Sequence, residues 1–285
     1  MIRYLLVAAL LTLLAACSSK GDQPPEAQVQ ADRLLQRGVA AYQQGDYLLA
    51  TNHFTRALVD FQGFDQRSGQ LQAHLNLAET LLQLGRLEAA REQTAIAQHL
   101  AAELQKEGAI EQAHWLLARL AWLEKNPELT LQELAYFLPE AARSIAADAS
   151  GLLLSALALR TQLALELSDD GPAWLAAYQA AVEESPSSSH QLRLRRFQAR
   201  ELWQQGYLQA AEDELEAVLD TYRRQVNRPA LAATLNELGQ MYWQEGQLGR
   251  AEDSIKRALR IRLQMHSRLH ASQLQDDLKK IREQQ

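Results

Sequence analysis

A short turn that contains glycine recurs along this chain at a fixed spacing, and it limits the chain to a narrow set of folds. The turns are Gly45-Asp46-Tyr47, Gly85-Arg86-Leu87, Gly206-Tyr207-Leu208 and Gly246-Gln247-Leu248. The interval between the first two glycines is the same as the interval between the last two. Each glycine follows a segment with helical periodicity and precedes an alanine-bearing segment, as a left-handed residue does between two antiparallel helices. The spacing therefore predicts a series of helical hairpins.

Small residues stand at constant offsets from these glycines. They are Gly38, Ala78, Ala199 and Gly239 seven residues before, Ala50, Ala90, Ala211 and Ala251 five residues after, and Ala57, Ala97, Val218 and Ala258 twelve residues after. Small side chains at these offsets let two helices approach closely. Two weaker units turn at Lys125-Asn126-Pro127, with Ala118 before it, and near Ser168-Asp169-Asp170, with Ala173 and Ala180 after it.

The composition supports an all-helical chain and excludes several functions. Of 285 residues, 13 are glycine and 7 are proline, while the helix formers Ala, Leu, Gln and Glu recur throughout. A net charge of −6 without clustered Lys and Arg argues against a nucleic-acid partner. The sequence has no phosphate-binding loop, nucleophile elbow or zinc-protease motif, and His266 and His270 lack a third metal ligand. We therefore expect no enzyme, no metal site and no cofactor.

The repeat pattern resembles the tetratricopeptide repeat, best over residues 31–62 and 232–263. The first stretch carries it as Gly38, Gly45-Asp46-Tyr47, Ala50, Phe54 and Ala57, and the second as Leu238-Gly239, Tyr242, Gly246, Ala251, Ile255 and Ala258. The resemblance implies an all-α, right-handed superhelical solenoid of about six antiparallel hairpins. The period near 40 is longer than the usual 34, and the family's proline near the end of each unit is absent. A helical bundle without repeats, or unrelated hairpins in the middle two units, are the alternatives.

The first residues have the features of an export signal. Arg3 precedes an apolar run over residues 4–14, which is too short to span a bilayer comfortably and has the length of a signal peptide's hydrophobic region. Leu14-Ala15-Ala16-Cys17 resembles the lipobox of bacterial lipoproteins, and Cys17 is the single cysteine of the chain. The resemblance implies acylation of Cys17, and Ser18 after it implies sorting to the outer membrane. An ordinary secretory peptide with Ala-x-Ala-like cleavage is the alternative.

These patterns divide the chain into five parts. They are a cleaved signal peptide (1–16), a lipidated cysteine with a flexible tether (17–30), N-terminal repeat units (31–184), C-terminal units (190–267) and a capping helix (268–285). The loop Pro186-Ser187-Ser188-Ser189 separates the two groups of units, and Gly151 is expected to interrupt a long helix of the fourth unit. The polar last helix is expected to shield the end of the solenoid from self-association.

In the repeat family, the first helices of the units line a concave groove that binds partners. Carried onto this chain, one phase of the groove holds Tyr42, Leu82, Trp122, Leu165, Trp203 and Trp243. Trp115 lies seven residues before Trp122, on the same helix face. We expect these rings to form a ladder that anchors a peptide or a protein. Packing of the rings between hairpins is the alternative.

The fifth unit adds a cationic face to this groove. Arg193, Arg196 and Arg200 are spaced to lie on one side of a helix, next to Trp203. Guanidinium groups pair well with carboxylates, so an acidic segment or the C-terminus of another chain would suit this face. Asn236, Gln240 and Gln244 continue the groove as neutral hydrogen-bonding groups. The alternative is a solvated surface face.

The sequence thus predicts an outer-membrane lipoprotein scaffold, facing the periplasm, whose groove binds an envelope protein. Lipoproteins with this repeat include type IV pilus pilotins, adaptors for peptidoglycan hydrolases and members of barrel-assembly machines. The alternative function is binding of a glycan or a small ligand on the tryptophans. An acidic peptide would bind in a salt-sensitive way, whereas a stacked glycan would be nearly indifferent to salt.

Overall fold

The structure is a computed structural model, and it describes residues 26–138, 151–167, 170–184 and 187–284. Within these ranges the chain forms thirteen α-helices and no β-strand. The helices are α1 Glu26–Gln43, α2 Tyr47–Gly63, α3 Arg67–Leu84, α4 Leu87–Glu103, α5 Glu107–Leu123, α6 Pro127–Leu134, α7 Gly151–Leu167, α8 Gly171–Glu184, α9 Ser188–Gln204, α10 Leu208–Arg224, α11 Arg228–Gln244, α12 Leu248–Gln264 and α13 Arg268–Glu283. No helix among the described residues is both long and apolar enough to cross a membrane.

Consecutive helices pack against one another along the chain, as expected for stacked hairpins. The predicted all-α superhelix of helical repeats is confirmed. The lipobox, with Cys17, and the segment 139–150 lie outside the described residues, so the signal peptide and the interruption at Gly151 stay predictions. One boundary differs from expectation, because α1 begins at Glu26, and the last residues assigned to the flexible tether are helical.

One three-residue turn connects most of the helices. A residue with positive φ ends the helix in nine turns, at Gly45, Asp65, Gly85, Gln105, Lys125, Gly206, Val226, Gly246 and His266. In the first of them, Gly45 donates its N–H to the Tyr42 carbonyl and Asp46 donates to the Ala41 carbonyl, both at 2.9 Å. This pattern is a Schellman motif, which satisfies carbonyls that the helix end leaves free. Within residues 45–125 and 206–266 these turns are evenly spaced, at half the repeat period, so the first, second, fifth and sixth units each contain two of them.

The small residues at fixed offsets all lie in the core. Ala50, Ala78, Ala90 and the alanines at the same offsets from the other turn glycines are fully buried. At Gly38 and Gly239, a Cβ atom would collide with Phe54 and Ile255 of the following helix. The offsets therefore mark the lines along which the two helices of a hairpin touch, as predicted.

The fourth unit departs from the predicted register. Ala173 and Ala180, which were expected at the close-contact positions of α8, are exposed. Trp174 and Ala181, each one residue later, are buried instead. Because α8 begins at Gly171, its contact face is shifted by one residue relative to the other units. The third unit keeps the register, since Ala118 is fully buried and Lys125 occupies the left-handed turn.

The two ends of the superhelix touch each other. Ser267 Oγ, before α13, donates to the Gln83 carbonyl at the end of α3 at 2.7 Å, and the Arg228 guanidinium donates to the Gln44 carbonyl. Tyr47, Leu84 and Met265 form a buried apolar cluster beside these bonds. We call this set of interactions the closure contact. It turns the row of hairpins into a closed path around a central cavity.

Gly85 is required at the closure contact for two reasons. Its φ is +74°, a conformation that L side chains rarely adopt. In addition, a Cβ atom at Gly85 would lie 2.5 Å from Leu269 Cβ and 2.9 Å from the Leu269 backbone nitrogen. Gly206 has a similar φ of +87° but no atom within 4 Å of the position of a Cβ.

We predict that Val226→Gly stabilises the protein. Val226 has a φ of +53° and is 74% exposed, so its β-branched side chain strains the turn without contributing much packing. Glycine should raise the free energy of unfolding by about 1 kcal/mol, measured as a higher midpoint of thermal unfolding. The matched control is Val59→Gly, because Val59 is exposed within α2 and glycine there should lower the midpoint. A Val226→Gly protein that is no more stable than the wild type would contradict the strain.

We predict that Gly85→Ala opens the closure contact and that Gly206→Ala does not. Both substitutions place a Cβ at positive φ and should cost about 1 kcal/mol. Only the first also forces Leu269 away, so amides around residues 265–269 should exchange hydrogen faster in that variant. Equal exchange at these amides in the two variants would show that the closure contact is not formed in solution.

Candidate functional site

The central cavity has a volume of about 1400 Å³ and is lined mainly by the first helices of the units. That volume exceeds the roughly 300–1,000 Å³ of most small-molecule sites. Among the described residues, seven Arg and Lys side chains and five Asp and Glu side chains line it. The cavity is therefore more positive than the chain as a whole, whose net charge is −6.

Nine of the ten predicted groove residues line this cavity. They are Tyr42, Trp115, Trp122, Arg193, Arg196, Arg200, Trp203, Asn236 and Gln240. The structure thus brings together side chains from the first helix and from the C-terminal units. Leu82, Leu165 and Gln244, which the sequence also placed on the groove side of the first helices, line the cavity as well.

Trp243 is the exception, and its expected place in the groove is wrong. Its ring packs against the apolar cluster of the C-terminal units, and its Nε1 donates to Gln284 Oε1 at 2.7 Å. The reason is α13, which contributes Leu274, Leu278 and Ile281 to that cluster and occupies the side on which a further unit would continue the groove.

The other three predicted groove tryptophans, Trp115, Trp122 and Trp203, both line the cavity and pack against the core. Trp115 and Trp122 line the cavity with one part of the ring and pack against the core of the third and fourth units with another. The Arg119 guanidinium lies 5.6 Å from the Trp115 ring centroid. Trp203 donates from Nε1 to Glu245 Oε1 at 3.0 Å. These rings are thus half-buried walls of the cavity rather than a free ladder.

A first polar network in the cavity centres on Glu79 of α3. The Tyr42 hydroxyl donates to Glu79, Arg119 forms an ion pair with it, and Gln83 Nε2 donates to it at 3.3 Å. Burial by itself raises the pKa of Glu79, but the charge and hydrogen bond of Arg119, together with the hydrogen bonds of Tyr42 and Gln83, lower it below its usual value. Burial and the nearby carboxylate raise the pKa of Tyr42 well above its usual value. The network ties α1, α3 and α5 together.

A second network joins α7, α9 and α11. Arg196 Nε and Nη2 donate to the two carboxylate oxygens of Glu237 at 2.8 and 2.6 Å, a bidentate pair. Arg200 Nη1 lies 3.0 Å from a carboxylate oxygen of Glu166 and its Nη2 lies 3.6 Å from Glu237. Two of the three arginines predicted to face a partner are therefore already paired within the chain. The expected cationic face is smaller than the sequence suggested.

Arg193 and Arg262 differ from these arginines. Both line the cavity, and neither has a hydrogen bond or an ion pair within the described residues. Burial lowers the pKa of both guanidinium groups, that of Arg262 to about 10, and the charge of Arg196 lowers both further. Arg262 is only 8% exposed.

His270 completes this part of the cavity without adding charge. Its Nδ1 lies 3.0 Å from Ser267 Oγ. Burial first, and then the charges of Arg262 and Arg119, lower the pKa of His270 to about 3, so the ring is neutral at physiological pH. His266 stands in the turn before α13, and within the described ranges no three His, Cys, Asp or Glu side chains gather as a metal site requires.

Of the twelve described charged residues that line the cavity, the sequence had pointed to three as groove residues, and one signal could have found two of the other nine. Glu79 and Arg119 directly follow the small residues Ala78 and Ala118, as Arg200 follows Ala199. Arg262 has no comparable signal, because it lies on a second helix and reaches the cavity only beside the closure contact.

Comparison with known proteins agrees with this architecture. Residues 232–264, which include α12 and most of α11, match the tetratricopeptide repeat family. No curated protein matches the chain. The Rap conjugation gene regulator of the plasmid pLS20, in complex with the Phr* peptide, is 17% identical with a TM-score of 0.67, over 90% of this chain and 67% of the other.

Two further solved structures have a similar fold. A Rap protein complexed with competence and sporulation factor is 15% identical with a TM-score of 0.61, over 90% of this chain and 77% of the other. The apo form of RapI is 14% identical with a TM-score of 0.62, over 90% of this chain and 91% of the other. At these identities the likeness is one of fold. The chain is therefore a helical-repeat superhelix that contains a tetratricopeptide repeat.

Proposed function

We propose that this protein is a lipid-anchored scaffold of the bacterial cell envelope that binds a peptide segment of another envelope protein in its central cavity. The observation that carries the proposal is the cavity itself, which is large, is bordered by residues from both ends of the superhelix and is lined by tryptophans and charged groups. The protein acts by binding rather than by catalysis. Pilus assembly, peptidoglycan remodelling and envelope assembly are the settings in which such a scaffold would serve.

The groups on the cavity wall suit an extended peptide. Half-buried tryptophans offer apolar surface for side chains. Asn236 lines the cavity, and its buried Oδ1 has no hydrogen-bond partner among the described residues, so a small movement of this side chain would let it accept a backbone N–H from a ligand. Two of the solved structures with this fold hold the Phr* peptide and competence and sporulation factor. The charged wall favours a peptide over a neutral glycan, whose affinity would come from stacking on exposed rings.

The membrane anchor is supported by the sequence around Cys17. Acyl chains on Cys17 would hold the protein at a membrane, since two or more chains anchor a protein stably. The first described helix, α1, begins at Glu26, nine residues after Cys17. The superhelix would then stand close to the lipid surface and concentrate its partner there.

We predict that Cys17→Ser releases the protein from the membrane fraction and abolishes incorporation of a palmitate analogue. The wild-type chain should sediment with the outer membrane, whereas Ser18→Asp should retain acylation and shift the protein toward the inner membrane. Density-gradient fractionation and acyl labelling measure both effects. Acyl labelling that persists in Cys17→Ser would remove the anchor assignment, and an unchanged density for Ser18→Asp would remove the sorting assignment.

We predict that a photoreactive amino acid inside the cavity captures the partner in cells and that one on the outer surface does not. Gln204 suits the first position, because it lines the cavity and is exposed. Tyr207 suits the control, because it is 62% exposed and does not line the cavity. Mass spectrometry should find one adduct specific to position 204. The same adducts at both positions, or none at 204, would contradict binding in the cavity.

A further inference from the structure

Ser267, which joins the start of α13 to the end of α3, is also bonded to a histidine. Its hydroxyl donates to the Gln83 carbonyl at 2.7 Å, and its Oγ lies 3.0 Å from His270 Nδ1. A hydroxyl has one hydrogen to donate and a carbonyl oxygen can only accept, so the hydrogen of Ser267 goes to Gln83. His270 therefore donates to Ser267 from Nδ1, and its neutral ring carries the proton on that nitrogen. The second proton of a charged ring would go to Nε2.

The surroundings of His270 disfavour that second proton. No hydrogen bond joins Nε2 to another described residue. The charges that act on the ring are those of Arg262 on α12 and Arg119 on α5. The backbone holds Arg262 close to this site, because the Ser267 N–H donates to the Arg262 carbonyl at 3.0 Å. A further cation here would be repelled by both guanidinium groups and would lose the hydration that it has in water.

The other elements around His270 do not supply a free negative charge to it. Titratable side chains face this region from α1, α2, α3 and α13 itself, namely Tyr42, Tyr47, Glu79 and Asp277. Burial raises the pKa of both tyrosines, so they are uncharged. The Glu79 carboxylate is paired with Arg119. Asp277 lies seven residues after His270, which is about two helical turns along α13.

We propose that His270 makes the closure contact sensitive to acid, so that protonation of this buried ring separates α13 from the end of α3. The charged ring is unstable in its cationic and dehydrated position, and it reaches water only when the two ends part. Gln83 and His270 both line the cavity, so this separation opens the cavity along one side. The inference goes beyond the proposed function and does not depend on it, because it concerns contacts within the fold.

The direction and the pH range of the effect follow from the two states of the ring. In the closed superhelix, burial first and then the charges of Arg262 and Arg119 lower the pKa of His270 to about 3. In the open form the ring is in water, where the pKa of histidine is about 6.5. Between pH 7 and pH 5 the open form therefore gains a proton that the closed form does not. The ratio of open to closed molecules should rise about twentyfold over this range.

Hydrogen exchange of the full-length chain, purified in a neutral detergent, measures this ratio at pH 7 and at pH 5. Each exchange rate is corrected for the intrinsic effect of pH on exchange. The amides of residues 265–269 should lose about twentyfold in protection at pH 5, because they lie at the closure contact. The amides of α10, which contains no histidine, should keep their protection. A loss confined to residues 265–269 distinguishes opening of the contact from unfolding of the whole chain.

The test variant is His270→Asn, and the matched control is His266→Asn. The side-chain nitrogen of asparagine can donate to Ser267 in place of Nδ1, but it does not titrate. His266 is exposed in the same turn and has a φ of +55°, which asparagine tolerates. The loss of protection at pH 5 should disappear in His270→Asn and persist in His266→Asn. Burial raises the pKa of Asp277, so protonation of Asp277 favours the closed form and cannot imitate the loss.

Nitrogen-15 NMR of labelled histidines in the wild-type chain gives a measurement that does not require the variant to fold. At pH 7 the His270 ring should be neutral, with its proton on Nδ1. A proton on Nε2 instead would overturn the proposal, because the hydrogen bonds at Ser267 would then be different. Unchanged protection of residues 265–269 between pH 7 and pH 5 in the wild type would overturn it as well. So would a loss of protection that persists in His270→Asn or disappears in His266→Asn.

Discussion

A left-handed turn, which occurs twice in each of the first, second, fifth and sixth units, sets the path of the described chain. Each turn ends a helix with two backbone hydrogen bonds and sends the chain back at a fixed angle. Because every turn has the same geometry, successive helices present the same phase to the inside of the superhelix. Residues as distant in the sequence as Tyr42 and Gln240 therefore reach one cavity. Val226 and His266 also have positive φ, so these turns have the left-handed conformation although the residue is not glycine.

Closure of the superhelix reduces the exposure of the charged groups in its cavity. An open groove would leave its charged groups in water, where an ion pair contributes little. Here the closure contact helps to shield them, so paired groups such as Arg196 and Glu237 hold helices together.

Most of the fold could be predicted from the sequence, because glycine and small residues mark turns and close contacts by their type alone. The turns at Asp65, Gln105 and Val226 could not be predicted, because these residue types do not indicate a positive φ. The aromatic and arginine positions of the cavity followed from the repeat phase. The errors at Trp243 and in α8 arose where the repeat ends or shifts register. The position of Arg262 in the cavity could not be predicted, because this residue reaches the cavity only beside the closure contact.

The closed superhelix requires that its two ends meet in solution. Spin labels at Arg86 and His266, which are exposed in the two turns that face each other at the closure contact, allow a direct distance measurement by double electron–electron resonance. With the ends in contact, the measurement should give one narrow distribution at the short limit of the method, with or without a bound peptide. A broad distribution at long distances would show an open superhelix and would contradict the closure contact.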